Sequence, residues 1–115
     1  MNVIILDSAY RDLAEIADFI NIDSPKRALS FVEKLLSRCE SLADLSLAFP
    51  LIPRYEQYGI RRLPYRDYLI FYRIQGECLE VLHILHGARD FETLLLPENR
   101  YRTQTYQIQF AQNYF

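Results

Sequence analysis

The chain is poor in the residues that would mark it as a metal, disulfide or membrane protein. It has two cysteines, Cys39 and Cys78, and no tryptophan. A pair of cysteines that far apart has no metal-ligand spacing. Cys39 falls on an apolar helical stripe, where a thiol behaves as a small hydrophobe. Free thiols of this kind suit a reducing cytoplasm. The apolar run Val3–Leu6 is too short for a signal peptide and is closed at once by Asp7. No stretch approaches the length a membrane-crossing helix needs. Lysine is scarce as well, two residues against eleven arginines. The cationic chemistry is therefore that of the planar guanidinium, which pairs bidentately with carboxylate or phosphate and tolerates an interface better than an ammonium. There are no internal repeats and no composition shift that marks a domain boundary, and 115 residues suffice for one core.

Aromatics are plentiful: nine Tyr and seven Phe. Tyrosine is amphipathic, so a surplus of it fits half-buried strands and equally a surface covered only when a partner arrives. The formal net charge of −2 is unevenly spread. Residues 1–53 carry −3, residues 54–73 carry +3 and residues 74–115 carry −2. The middle segment, with Arg54, Arg61, Arg62, Arg66 and Arg73, is a basic island in an acidic chain. Surface Arg–carboxylate pairs and a binding patch are both open readings of it.

Periodicity gives the element order. Residues 2–6 are apolar and β-branched, a short strand. Asp7 or Ser8 is placed to cap a helix whose apolar face is Ala9, Leu13, Ile16, Ala17 and Ile20, with Arg11, Asp12, Glu15 and Asp18 opposite. Ser24-Pro25 starts a second helix with the stripe Ala28, Phe31, Val32, Leu35, Leu36, Cys39 and Leu42. Residues 46–57, with Pro50 and Pro53, read as a loop. Strands follow at Tyr58–Leu63, Tyr68–Ile74 and Leu79–His86, with a turn at Gln75-Gly76-Glu77. The close spacing implies an antiparallel meander. Phe91–Leu96 reads as a helical turn, and 97–115 as a tail of open structure. The expected fold is α+β, in the order β-α-α-β-β-β. A two-helix hairpin packs on one face of an antiparallel sheet of about four strands, and the first strand inserts into or flanks the meander. On the second face, apolar residues remain for the tail or a partner to cover.

Several pieces then carry a resemblance. They are Ala9-x3-Leu13-x2-Ile16-x3-Ile20, Pro25-x2-Ala28-x2-Phe31, Tyr58-Gly59-Ile60-Arg61-Arg62-Leu63-Pro64, Tyr68-Leu69-Ile70-Phe71-Tyr72-Arg73-Ile74, and Leu82-x-Ile84-Leu85-His86-Gly87-Ala88-Arg89-Asp90. In this order, over residues 1–92, the chain resembles the RelE/ParE toxin superfamily, and is most similar to its ParE-like, plasmid-stabilisation branch. The resemblance implies a toxin domain over residues 1–96 and a cognate antitoxin that neutralises it. For the ParE-like branch it implies inhibition of DNA gyrase by protein binding, with no catalytic residue, cofactor or metal. For the RelE-like branch it implies cleavage of messenger RNA on the ribosome, with Arg61, Arg73 and His86 at comparable sheet positions and Tyr65 or Tyr68 assisting. A non-toxic interaction protein of the same fold is a third reading. The net acidity, the lack of a Lys-rich loop and the absence of a Tyr just after the last strand weigh against the nuclease. The partner-binding candidates are Arg61, Arg62, Tyr65, Tyr68, Tyr72, Arg73, His86 and Arg89. His83 and His86, three apart on a strand, are expected to face opposite sides, with His83 beside Val81 and Leu85. His86 has three open roles: capping the turn after the strand, pairing with Asp90, or acting as a catalytic acid, the structural roles being favoured. Asp90 is placed to cap the short helix that follows.

Overall fold

The structure, a computed structural model, describes residues 1–95. The tail from 97 onward, set apart by the sequence, lies outside the described residues. The elements are β1 (Asn2–Ile5), α1 (Asp7–Asn21), α2 (Pro25–Ser41), β2 (Ile60–Tyr65), β3 (Tyr68–Gln75), β4 (Cys78–His86) and α3 (Phe91–Leu95). This is the α+β order read from the sequence. A single turn of 3-10 helix, Glu56–Tyr58, precedes β2.

The second helix starts as its sequence dictates. Ser24 has extended backbone, its Oγ accepts the Arg27 N–H at 3.2 Å, and Pro25 takes the first helical position. The first helix does not. Its cap is Leu6, which offers no side-chain acceptor, and Asp7 already lies inside it. Ser8 is free for another task, described below.

The sheet order is β1-β4-β3-β2. The meander β2–β3–β4 is antiparallel, as its short turns require. Gly76, with φ of 59°, supplies the left-handed residue of the β3–β4 turn. The first strand differs from the others: β1 flanks β4 and runs parallel to it, Asn2 opposite Cys78 through Ile5 opposite Val81, so the sheet is mixed. The connection permits parallel pairing, since α1, α2, β2 and β3 all intervene between the two strands. The outer side of β1 pairs with no described strand.

Two apolar clusters sandwich the sheet. On one face Ala9, Leu13 and Ile16 of α1 and Leu35, Cys39 and Leu42 pack on Leu63, Ile70, Tyr72, Leu79, Val81 and Ile84. On the other, Ile52 and Leu95 cover Ile60, Phe71, Leu82 and Leu85. Tyr55 and Tyr58 of the connecting loop and Phe91 of α3 close its margin. The second face is thus covered by the loop before β2 and by α3, not left open. The apolar character of both strand faces has this cause: a central strand covered on two sides reads as a continuous hydrophobic run.

A bulge in β4 corrects the face assignment made from alternation. Phe71 lies opposite His83 while Tyr72 lies opposite Val81, so Leu82 is an extra residue. Val81 therefore faces the helices and Leu85 the loop, so these two do not share a side.

Candidate functional site

Where β1 stops, α1 takes over its place along the edge of β4. Leu6 N–H still donates to the Val81 carbonyl in strand fashion. Beyond it the Ser8 hydroxyl donates to the Leu82 carbonyl. One turn later the Asp12 carboxylate accepts the Ile84 N–H at 2.8 Å and meets His83 Nδ1 at 2.8 Å. A serine and an aspartate four apart on a helix thus satisfy a sheet edge that lacks a strand partner. Asp12, placed by periodicity on the wet face of α1, is instead only 9% exposed. Its signal in the sequence was the i, i+4 spacing from Ser8 beside Ala9, Leu13 and Ile16. His83 is accordingly a structural histidine, tied to Asp12.

The candidate residues separate into three groups. Tyr72 is fully buried and its hydroxyl donates to the Ser46 carbonyl at 2.9 Å, so it has no surface to offer a partner. Burial raises the Tyr72 pKa, with the Arg61 charge opposing. Arg61, on the helix side of β2, donates to the Phe49 carbonyl at 2.7 Å and so ties down the loop after α2. Arg73, on the opposite face, pairs with Glu80 at 2.9 Å. Its burial lowers the guanidinium pKa, and the Glu80 hydrogen bond and charge oppose that shift. Arg62 lies across the sheet from Arg61, as alternation requires, with its guanidinium 5.9 Å from the Phe91 ring centre.

The last group gathers at the turn end of the sheet. Tyr68 lies opposite His86, and their rings meet edge-on at 5.5 Å. His86 Nδ1 accepts the Ala88 N–H at 3.1 Å, which is the turn-capping role, and it leaves the ring proton of a neutral imidazole on Nε2. Asp90 turns to Thr93 instead, accepting its hydroxyl at 2.7 Å at the start of α3. Those bonds hold the Asp90 carboxyl below its ordinary pKa. The Tyr68 phenol is raised by burial and then by the Asp67 charge. A small groove of about 160 Å³ runs beside this pair, with Arg89, Glu15 and Phe19 in its walls. Gly87 packs against the β2–β3 turn, its N–H donating to the Asp67 carbonyl at 2.7 Å, and an added Cβ would sit 3.4 Å from that oxygen.

Tyr65 completes the end. Two guanidinium groups lie over its ring, Arg38 at 5.1 Å and Arg66 at 5.8 Å from the ring centre. Phe31 of α2 touches both Tyr65 and Tyr68. Arg38, Lys34 and Arg27 were not among the sequence candidates. They belong to the polar side of α2, where nothing in the periodicity separates a binding side chain from a solvated one.

No cluster of His, Cys, Asp or Glu suited to a metal ion occurs among the described residues. Cys39 is buried, and its thiol pKa is pushed up to about 12 by burial and by Glu40. Among the described residues no helix is long and apolar enough to cross a membrane.

The family model for the ParE toxin of type II toxin–antitoxin systems, parDE, matches residues 3–91. The chain belongs to the ParE toxin family. The matched span runs from the second residue of β1 to the first residue of α3, so it reaches all four strands and takes in both long helices. A solved structure described as the chromosomal ParDE toxin–antitoxin system from P. aeruginosa has a chain of the same fold at a TM-score of 0.65 and 21% identity. The superposition covers 75% of this chain and 95% of that one. No curated protein sequence matches.

Proposed function

We propose that this ParE-family chain acts in the cytoplasm by binding protein, with DNA gyrase as its target and a cognate antitoxin as its neutralising partner. The observation that favours binding over RNA cleavage is the dispersal of the side chains a nuclease would use. Tyr68 and His86 share one end of the sheet, while Arg73 lies opposite Glu80, five residues along β3 and about 17 Å away. Arg61 sits near Arg73 in register but on the other face, and it is spent on the Phe49 carbonyl. General acid–base work on one phosphodiester needs base, acid and cation within hydrogen-bond reach of a single group. Here each is committed elsewhere: Arg73 to Glu80, and His86 Nδ1 to the Ala88 amide.

The surface the reading assigns to partners is the turn end, with Tyr65, Tyr68, His86 and Arg89. Its aromatic rings are partly buried and fringed by cations, the composition that recurs at protein interfaces.

The test uses the purified full chain in two assays. In a supercoiling reaction with purified gyrase, the toxin reading expects loss of supercoiled product at near-stoichiometric protein. In a translation reaction the message should stay intact. Cut message, with the cutting abolished in Arg73→Ala or His86→Ala, would establish the nuclease instead. Full gyrase activity with intact message would leave the non-toxic interaction protein.

A further inference from the structure

Two clefts, of about 400 and 450 Å³, flank Lys34 on the side of α2 that faces the β2–β3 turn. The first runs from Arg27 to Phe31 along the helix and is closed by Arg66 and Tyr68. The second continues through Arg38 and Ser41 toward Phe49 and Tyr65. The helix positions that line them advance by three and four, so the two clefts form one groove along a single face of α2. From Arg27 to Ser41 that face is about 21 Å long.

The groove is cationic in a chain whose net charge is −2. Arg27, Lys34, Arg38 and Arg66 line it, against one acid, Asp67. Among the described residues the carboxylates that meet a basic side chain are Glu80, with Arg73, and Asp12, with His83, so none of these four cations has a described carboxylate within salt-bridge distance. Glu33 and Glu40 of the same helix do not line the groove. The floor is aromatic: Phe31, Tyr65 and Tyr68 are half-buried there.

Backbone geometry adds a second, independent observation. Arg66 occupies the two-residue β2–β3 turn with φ of +53°. A side chain there costs on the order of 1 kcal/mol, which glycine would avoid. The strained conformation sets an arginine at the mouth of the groove, its guanidinium over the Tyr65 ring, which Arg38 also approaches. Strain of this kind points from an observed outlier to a use.

We propose that this groove binds an acidic peptide segment with interspersed apolar side chains. The toxin reading supplies its source, the antitoxin, and for that source alone the inference rests on that reading. Guanidinium groups stacked on a ring keep their N–H edges free to grip carboxylates in pairs. The apolar side chains of the segment meet Phe31 and Phe49. A single-stranded nucleic acid fits less well, because it needs an open ring face for base stacking. Here Arg38 and Arg66 lie over the Tyr65 ring, and His86 meets Tyr68 edge-on.

The experiment titrates the full chain with a fluorescein-labelled synthetic peptide of glutamate and leucine, as long as the groove. Unlabelled oligodeoxythymidylate of similar length serves as competitor. The peptide should bind at low salt and resist the oligonucleotide. The double charge reversal Lys34→Glu with Arg38→Glu should weaken it at least about tenfold, since two charge-assisted contacts are lost and inverted. Arg66→Gly should weaken it several-fold while leaving the thermal midpoint at or above that of the unsubstituted chain. That combination separates a binding arginine from a structural one. Unchanged affinity in either variant would overturn the proposal, as would an oligonucleotide that displaces the peptide and itself depends on Lys34 and Arg38. The titration is read without gyrase or antitoxin. An inert supercoiling result with intact peptide binding therefore removes the source and keeps the groove, and the reverse result removes the groove alone.

Discussion

Asp12 shows how one side chain can carry a junction between elements. Its carboxylate accepts the Ile84 amide and meets His83, and the hydroxyl of Ser8 serves the carbonyl two residues earlier. Removing it leaves a buried N–H without a partner, which costs about 1–3 kcal/mol. Asp12→Ala should therefore lower the urea midpoint with the m-value unchanged, while the isosteric Asp12→Asn should recover part of the loss. Tyr72→Phe deletes the bond to Ser46 but keeps the ring, and a loss of only about 1 kcal/mol is expected in the same assay. Cys39 gives a pH signature. In the folded chain its thiol is held protonated up to about pH 12, against an ordinary value of 9.0. The folded state keeps the proton that the unfolded state releases, so this contribution is complete below pH 9 and is lost as pH rises toward 12. Alkaline unfolding of a Cys39→Ala variant should accordingly be shallower above pH 9. Iodoacetamide at pH 8 should leave Cys39 of the native chain unlabelled. The role of Asp12 goes unread in the sequence despite its i, i+4 spacing from Ser8, because an acidic residue beside Arg11 and Glu15 looks like part of a wet face, and the docking of the helix on β4 decides otherwise.

At the level of elements, the helices and the meander were readable because each obeys one period. The stripe from Ala28 to Leu42 and the proline at the head of α2 left little freedom. Boundaries moved by a residue or two, as in β2, which begins at Ile60 rather than Tyr58, where a turn of 3-10 helix and the left-handed Gly59 intervene. Two features had no local signal. The parallel docking of β1 depends on the entire intervening chain, and the bulge at Leu82 is invisible because valine, leucine and isoleucine suit either face. The cover of the second face is likewise a tertiary fact. Leu95 of α3 is fully buried over Phe71 and Leu82 together with Ile52. Leu95→Ala should cost about 2–5 kcal/mol and raise binding of an apolar dye, as α3 loosens from the sheet. A variant with native dye binding would show that the loop before β2 covers this face unaided.

Across the whole molecule, charge and structure are separated. Among the described residues the Arg73–Glu80 ion pair and the Asp12–His83 contact lie in or beside the sheet, while Arg27, Lys34, Arg38 and Arg66 line one groove. Folding should therefore respond little to salt, and binding of an acidic partner strongly, since exposed charges are screened over about 10 Å at 0.1 M. Thermal midpoints measured between low and moderate salt should stay within a few degrees while peptide affinity falls by an order of magnitude or so. The basic island between residues 54 and 73 was visible in the sequence, but its members part company in space: Arg61 and Arg73 are structural, and Arg66 joins a helix some thirty residues upstream.

The extra residue in β4 has a wider consequence. A strand is a two-stroke mechanism, and Leu82 is an odd tooth in it: everything downstream of that position is aimed by one skipped beat. Keep Leu82 but give it an ordinary place in the ladder, and the pleat runs on without interruption. Ile84 and His86 then swing to the loop side, the ring beside Tyr68 departs, and the floor of the turn end is rebuilt from the wrong side chains. The placement of His86 is in this sense decided four residues away from it.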